Sequence, residues 1–408
     1  MENKKKSFLL IILVCFFFSC TEEQATKQEV LPAIYTHQLL ATEQRKTFEL
    51  DSITPYLSAY FQTLEEAGKN YFLIGNPLKP CIDIYDLEKA GAKIASIPLE
   101  KEGESAIYSL TGFYAHSLDS IYIYCYKAYQ IALVNRSGKV LKRYKLYEKE
   151  PSLGADIKTI MKYPVAYAPA ASAPSLLQND TLYTGIIDNS SGLFSHQAGY
   201  IAKTHYFLAL HTKTGEYDLR FKGDDSPYTK AAWVEMEDIC FNYSFDTKSI
   251  LISYAMDENI YLKGLEKESK SIKKLAKSRD LEQIPNLSSE QRYESRPSDI
   301  FFESPSYKFI ITDPYRKVYY RAVASAIEAR NQEGAMRKYV DKPISFVILD
   351  ENLNIIGESE IKPTNRFVPY FYFITQEGLW LSEGHYRNPD LDEDNLSFRL
   401  FKLQRKIE

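Results

Sequence analysis

The fold is decided by residues 118–146, which read LDSIYIYCYKAYQIALVNRSGKVLKRYKL. Leu118-Asp119-Ser120 has the composition of a turn, and the apolar and aromatic run 121–126 that follows it suits a β-strand. The chain then returns over residues 129–134, reverses at Asn135-Arg136-Ser137-Gly138 and runs out again over 140–146. This pattern predicts three antiparallel strands joined by tight turns.

The same pattern recurs along the chain. A strand, a turn and a second strand are predicted over residues 206–221, and again over residues 344–361. Strand-like apolar runs begin six such units, at residues 71–74, 121–124, 181–186, 249–254, 307–311 and 378–381. Repeats of about 40 to 70 residues, each with three or four antiparallel strands, are typical of propeller blades. We therefore predict an all-β, six-bladed β-propeller, with seven blades as the alternative, closed by an early strand near residues 47–53 that joins residues 398–403.

Composition supports a folded chain. Of the 408 residues 45% are hydrophobic, and there are 32 tyrosines and 22 phenylalanines. Such a chain has enough apolar surface for a large core.

The N-terminus has the order of an export signal. Lys4, Lys5 and Lys6 precede an apolar run over residues 8–18, which is shorter than the roughly 20 residues needed to cross a bilayer as a helix. Ser19 and then Cys20 follow, which resembles a bacterial lipobox and predicts a lipid on Cys20. Phe17 departs from the commonest lipobox, so an ordinary signal peptide stays the alternative.

The residues after Cys20 predict where the protein is anchored. Thr21-Glu22-Glu23 is similar to the acidic tether of lipoproteins that Bacteroidota export to the cell surface. We predict a signal peptide over residues 1–19, a flexible lipid-anchored tether over 20–46 and one propeller domain over 47–408. The expected location is the outer membrane, facing the cell surface, with the periplasmic face as the alternative.

Charge and cysteines exclude several classes of protein. The net charge is −4, and without residues 1–19, which carry +2, it is −6, so no basic surface for nucleic acid is expected. Cys81, Cys125 and Cys240 are widely spaced, which supports neither a disulfide framework nor a zinc site. Cys125 is expected to be a small core residue of its strand.

These features together resemble a known family. The lipobox, the acidic tether, the first unit FLIGNP followed by IDIYDLE, the tyrosine-rich repeats and DPYRKVYYR at residues 313–321 look like the DUF4221 lipoproteins of Bacteroidota. The resemblance covers roughly residues 20–405. It implies a six-bladed, TolB-like propeller and no established activity, so no catalytic residue follows from it.

No motif specifies a reaction or a cofactor. His196, His205 and His211 lie close in sequence, but their spacing matches no metal motif. The acidic cluster at residues 390–394 resembles the start of a calcium loop but has Asn395 and Phe401 where that loop has glycine and glutamate. No nucleophile elbow and no phosphate-binding loop occurs. We expect no catalytic residue, no metal and no cofactor.

The densest recognition patch surrounds residues 313–321. Strand alternation would put Tyr315 and Arg321 on one face and Arg316 and Tyr320 on the other, with Arg296 close enough to join them. The patch is either a ligand site or a hairpin whose tyrosines pack between blades and whose arginines pair with acidic neighbours. As a ligand site it would consist of Tyr315, Arg316, Tyr320, Arg321 and Arg296.

Some other segments carry weaker signals. Residues 166–174 and the charged run 263–279 are interpreted as long excursions between strands. Asp-Ser or Asp-Thr followed by an apolar residue occurs at residues 51–53, 119–121 and 180–182, and suits either a turn entering a strand or O-glycosylation.

Two function classes stay open. The first is a monomeric, envelope-anchored propeller that binds a protein, peptide or glycan without catalysis. The second is an envelope hydrolase or lyase with a metal or carboxylate site in the propeller channel. A channel filled with apolar and tyrosine side chains would favour binding, and carboxylates converging in it would favour the enzyme.

Overall fold

The stretch that predicts the fold forms strands as expected in the computed structural model of the chain. The structure describes residues 35–107, 109–125, 129–148, 163–188, 203–223, 239–267, 269–281 and 297–406. Asn135 stabilises the tight turn after residue 134 because its Oδ1 accepts the N–H groups of Ser137 and Lys139. Gly138 in this turn has φ +79°, and a Cβ there would overlap the carbonyl oxygen of Pro98.

The chain begins its regular structure with strand β1, His37–Glu49. The next eight strands form two antiparallel groups in sequence order. The first group is β2 Phe61–Glu66, β3 Lys69–Asn76, β4 Cys81–Asp86 and β5 Ala95–Pro98. The second group is β6 Phe113–Ser117, β7 Ser120–Cys125, β8 Gln130–Val134 and β9 Val140–Lys145.

The third and fourth groups follow the same plan. In the third, the order is β10-β12-β13-β14, and β11 pairs with β12. Its strands are β10 Val165–Ala166, β11 Leu176–Gln178, β12 Thr181–Ile187, β13 His205–His211 and β14 Tyr217–Lys222. The fourth group is β15 Ile239–Tyr243, β16 Ser249–Tyr254, β17 Asn259–Gly264 and β18 Ser271–Leu275.

The last strands form an eight-stranded sheet that consists of two groups of four. The fifth group is β19 Ser306–Asp313, β20 Val318–Ala324, β21 Ile344–Leu349 and β22 Ile355–Glu360. The sixth is β23 Val368–Thr375, β24 Gly378–Ser382, β25 Asn395–Arg405 and β1. Helix α1, Pro297–Glu303, precedes β19, and a 3₁₀ helix, Tyr339–Asp341, precedes β21.

Strand β1 closes the sixth group from the other end of the chain. It pairs antiparallel with β25, with His37 opposite Arg405 and Glu49 opposite Asn395. Beside this pair the buried Glu383 carboxylate contacts Arg45 of β1 at 2.9 Å, Arg399 of β25 at 3.0 Å and Arg366 at 3.3 Å. The predicted closure by an early strand and the terminal strand is therefore present.

The closing strand begins earlier than predicted, which corrects the domain boundary. Residues 37–46, assigned from sequence to the tether, belong to the sheet. Their polar composition has a physical cause, because β1 is an outer strand on which Leu39 and Phe48 are buried and residues 43–45 are exposed.

The core lies between neighbouring groups. Aromatic rings fill the space between the sixth and first groups, where Phe48 lies 5.5 Å from Phe72 and Phe373 lies 4.8 Å from Phe398 between ring centroids. Similar apolar clusters pack each of the other groups against the next one along the chain. Because the last group packs on the first, the groups form a ring, and the chain is a β-propeller.

The strand predictions hold for all six apolar runs, which lie in β3, β7, β12, β16, β19 and β24. The described residues contain six groups of four strands. Several stretches between groups lie outside the described residues, so the number of blades of the whole chain remains a prediction.

The charged run 263–279 is corrected by the structure. It was interpreted as an excursion between strands, but it contains β18, which forms the outer edge of the fourth group. Lysine is common on such edges because it discourages pairing with another chain. Among the described residues, no helix is both long and apolar enough to span a membrane.

Candidate functional site

A segment of small residues occupies the middle of the ring. Residues 167–175 connect β10 to β11, and within them the Ala170 N–H donates to the carbonyl oxygen of Ala59 in the first group. The Ser172 carbonyl oxygen accepts the N–H of Phe241, which belongs to the fourth group. The excursion predicted over residues 166–174 therefore lies in the central channel, between inner strands of different groups, and not at the rim.

This segment separates two cavities. Pro169, Ala171 and Ala173 line one cavity, whereas Ala168, Ala170 and Pro174 line the other. The first cavity touches the early residues of the inner strands, and the second touches their late residues, as in β19, where Lys308 lines the first and Thr312 the second. The two cavities therefore lie at opposite ends of the channel.

The first cavity, which we call the tyrosine cavity, has a volume of about 420 Å³. Four tyrosines from different parts of the ring line it, and Tyr339 and Tyr167 leave 43% and 39% of their surface exposed. The described lining residues are Ala59, Tyr167, Pro169, Ala171, Ser172, Ala173, Gly185, Ile186, Tyr206, Ile239, Cys240, Phe241, Lys308, Phe309, Tyr339 and Tyr370. The site thus offers ring faces and phenol hydroxyls.

The tyrosines are held by aromatic contacts. Tyr339 stacks on Phe301 of α1 with centroids 5.6 Å apart, and it meets Tyr370 edge to face at 5.7 Å. Burial, together with the nearby Tyr56, raises the pKa of Tyr370 to about 12. Tyr370 therefore stays protonated at neutral pH and can both donate and accept a hydrogen bond.

Two lysines stand behind Tyr339. Lys308 is almost fully buried, and its Nζ lies 5.7 Å from the ring centroid of Tyr339 and 4.9 Å from that of Phe301. Lys342 Nζ lies 4.9 Å from the same Phe301 ring and donates to the carbonyl oxygens of Phe301 and Ser304, at 2.6 and 2.7 Å. Burial, and then the charge of Lys308, lower the pKa of Lys342 to about 7.

The second cavity, of about 320 Å³, contains Tyr315. Tyr315 is 52% exposed and follows Asp313, whose Oδ1 accepts its backbone N–H. Neighbouring polar side chains are engaged within the fold, since Gln62 exchanges hydrogen bonds with the backbone of Ala115. Tyr315 is thus the predicted ligand residue that keeps an exposed ring, and its contact with a ligand stays a prediction.

Arg316 and Tyr320 have structural roles around the buried carboxylate of Asp313. The Arg316 guanidinium contacts that carboxylate at 2.9 Å and donates to the carbonyl oxygens of Thr375 and Gln376 in the sixth group. The Tyr320 hydroxyl donates to Asp313 at 3.1 Å, and burial raises its pKa well above the usual range. These contacts fit the hairpin alternative, in which Arg316 joins two groups.

Arg321 is fully buried between the fourth and fifth groups. Its guanidinium donates to Ser253 Oγ and to the carbonyl oxygens of Asp257, Glu258 and Ala276, at 2.6 to 3.0 Å. The ring of Tyr307 lies 3.6 Å from the guanidinium carbon. The assignment of Arg321 and Tyr320 to a ligand surface is therefore corrected, because neither side chain reaches solvent. Arg296 and Cys20 lie outside the described residues.

The histidines do not converge. His205 and His211 lie at opposite ends of β13, about 20 Å apart at the usual strand rise, and His196 lies outside the described residues. His205 Nδ1 lies 2.9 Å from the buried carboxylate of Asp188. In the acidic segment, Asp392 accepts hydrogen bonds from Asp394 and Asn395 within its own turn. Over the described ranges, no three His, Cys, Asp or Glu side chains are grouped to hold a metal ion.

Cys81, Cys125 and Cys240 are free and buried, as far as the described residues show. Cys125 ends β7 in the apolar core, as predicted, and burial raises the pKa of its thiol to about 12.

Sequence reasoning did not identify Lys308, Tyr339 or Tyr370 as site residues. Lys308 carried a signal, because it interrupts the apolar run of β19 and a lysine inside a strand is rarely buried without a specific environment. Tyr339 and Tyr370 carried none, since nothing distinguishes them from the other tyrosines of the chain.

Comparison with known proteins adds the family. Residues 36–360 match the family described as "Domain of unknown function (DUF4221)". No curated protein matches the chain.

Solved structures share the fold. A member of the DUF4221 family from Bacteroides vulgatus is similar at 22% identity with a TM-score of 0.75, over 91% of this chain and 99% of that one. A candidate exported protein from Bacteroides fragilis is similar at 11% identity with a TM-score of 0.54, over 91% and 96% of the two chains. Virginiamycin B lyase from Staphylococcus aureus gives a TM-score of 0.42 at 10% identity, over 89% of this chain and 99% of that one.

Proposed function

The chain belongs to the DUF4221 family, and from the geometry of its tyrosine cavity we propose that it is a lipid-anchored, non-catalytic binding protein of the cell envelope whose ligand is a glycan. The observation that carries this proposal is the set of four tyrosines around a cavity of about 420 Å³. Cavities of roughly 300 to 1,000 Å³ with apolar walls and a few polar groups are the usual form of small-ligand sites.

The walls of the cavity suit a sugar better than a peptide. A tyrosine presents a flat apolar ring and a hydroxyl that both donates and accepts hydrogen bonds, and sugar hydroxyls have the same dual capacity. Tyr167 and Tyr339 expose two fifths of their surface at the cavity, which leaves ring area for an apolar sugar face. The plug of alanines behind them closes the channel, so a ligand enters from one side.

The chain connection to the anchor also favours this cavity. His37 is opposite Arg405, and the neighbouring residues of β25 pair in turn with the start of β24 and the end of β23. The N-terminal segment therefore joins the propeller at the end where the inner strands finish, which is the end of the second cavity. With a lipid on Cys20, attachment at that end leaves the mouth of the tyrosine cavity on the other face of the ring.

The test is binding of an oligosaccharide library to residues 35–408, measured by retention and then by calorimetry. We expect Tyr339→Ala to weaken the binding of a retained glycan at least tenfold, whereas Tyr315→Ala, at the other end of the channel, leaves it unchanged. Tyr167→Ala serves as a second cavity variant, and the melting temperature of each variant shows whether it folds.

Other outcomes separate the alternatives. Loss of binding in Tyr315→Ala alone would place the ligand in the second cavity and overturn the proposed site. Cleavage of the retained glycan by the wild-type protein would favour the hydrolase or lyase. A library without any retained member, with a protein partner captured instead, would overturn the choice of a glycan.

A further inference from the structure

The charge of the tyrosine cavity is one-sided. Of the described residues that line it, Lys308 is the only one with a charged side chain, and no carboxylate is among them. The chain as a whole is acidic, with a net charge of −4. A cationic wall in an acidic protein is therefore a local feature of this cavity.

A second cation reinforces this wall. Lys342 lies against the same Phe301 ring as Lys308, and the contacts of its ammonium group are the two carbonyl oxygens at the end of α1 and that ring. Lys308 on β19 is the charged group that acts on it. Two cations held behind Tyr339, in a region of low dielectric constant, give the cavity wall a positive potential.

We propose that the glycan bound in the tyrosine cavity carries a carboxylate, which lies against the wall formed by Lys308 and Tyr339. This inference rests on the proposed function and names the class of glycan, that is, one containing a uronic or sialic acid. A single lysine among phenols suits one monovalent anionic group, whereas phosphate groups are commonly held by several cations or a bidentate arginine.

The neighbouring lysine makes the binding depend on pH. The pKa of Lys342 is about 7, so its charge is present below that pH and is lost above it. A uronic carboxylate stays ionised from pH 6 to pH 9. Affinity for the acidic glycan should therefore fall by about threefold to tenfold between pH 6 and pH 8.5, given the Coulomb energies expected near a protein surface. Affinity for a neutral glycan should not change over this range.

The experiment compares matched acidic and neutral sugars on the full described domain, residues 35–408. The pairs are digalacturonate with galactobiose, 3′-sialyllactose with lactose, and a hyaluronan tetrasaccharide with its carboxyl-reduced form. We expect the acidic member of at least one pair to bind at least tenfold more tightly, and which pair responds distinguishes uronic from sialic acid. Raising the salt from 50 mM to 500 mM should weaken only the acidic member.

Two variants assign the effect to Lys308. Lys308→Met should bring the acidic member to the affinity of the neutral one, and Lys308→Arg should keep the preference. Lys342→Met should remove the pH dependence. Melting temperatures are compared for all three.

The outcomes separate this inference from the proposed function. Equal binding of both members of a pair, lost in Tyr339→Ala, would overturn the carboxylate and leave the glycan site in place. A preference that survives in a folded Lys308→Met would overturn the role of this wall. Failure of all six sugars, together with retention of only neutral glycans from the library, would also overturn the inference, whereas failure of the whole library would overturn both proposals.

Discussion

At the scale of single residues, the arginines show why a recognition patch read from sequence becomes structural. Arg321 follows two tyrosines on an exposed-looking hairpin, yet its guanidinium is buried and saturated by three carbonyl oxygens and one hydroxyl. Arginine suits this role because its planar fork presents five donors. The same composition, aromatic rings with arginine, serves ligand binding at a surface and packing between blades, and only burial distinguishes them.

The first prediction concerns Arg321. Arg321→Met keeps the aliphatic volume but leaves three buried carbonyl oxygens and the Ser253 hydroxyl without their donor. We expect the free energy of unfolding to fall by about 3 to 5 kcal/mol. Urea denaturation measures the change, with Arg136→Met as a control, because Arg136 pairs with Asp119 in an exposed turn.

The control variant should unfold like the wild type, since exposed ion pairs contribute little. An Arg321→Met variant as stable as Arg136→Met would show that Arg321 does not hold the fourth and fifth groups together.

At the scale of elements, apolar strands were predictable and outer strands were not. Runs such as residues 249–254 are buried on both faces, so their composition is continuously apolar. The outer strands β1 and β18 face solvent over most of their residues, and their sequences are consequently polar and charged. Strand pairing with β25 and β17 forms them, and that pairing partner is distant in sequence for β1.

The second prediction concerns β1. A chain of residues 50–408 loses the partner of β25 and the Arg45 contact with Glu383. We expect it to lack a cooperative thermal transition, because the sixth group is left with an open edge. Residues 35–408, which retain β1, should melt like the longer mature chain in differential scanning calorimetry.

A point variant gives an independent measure of the same closure. Phe48→Ala removes a fully buried ring between the sixth and first groups and should cost about 3 to 5 kcal/mol. Cooperative melting of residues 50–408 within a few degrees of residues 35–408 would contradict the role of β1 in closure.

At the scale of the whole molecule, the ring creates the site. The tyrosine cavity takes Tyr206 from the third group, Lys308 from the fifth and Tyr370 from the sixth. These residues are far apart in sequence, and they meet because all inner strands face one channel. The alanine-rich segment then divides that channel, so that its two ends become separate cavities.

The third prediction concerns the anchor. Cys20→Ser should abolish incorporation of labelled palmitate and move the protein from the membrane fraction to the soluble envelope fraction, because an export signal without the lipidated cysteine provides no anchor. Cys15→Ser, inside the apolar run of the signal, is the matched control and should keep the label. Labelled, membrane-bound Cys20→Ser would contradict the lipobox.

The sequence by itself determined the all-β class, the repeated antiparallel units and the position of nearly every inner strand, because alternation and turn residues are local properties that each segment carries. It also placed the closing strand at the N-terminus, although not its first residues. Only the tertiary structure decided which side chains form the site. Burial of Arg321 and Tyr320, exposure of Tyr339 and the position of Lys308 beside Lys342 depend on how distant strands pack, and composition holds no record of that packing.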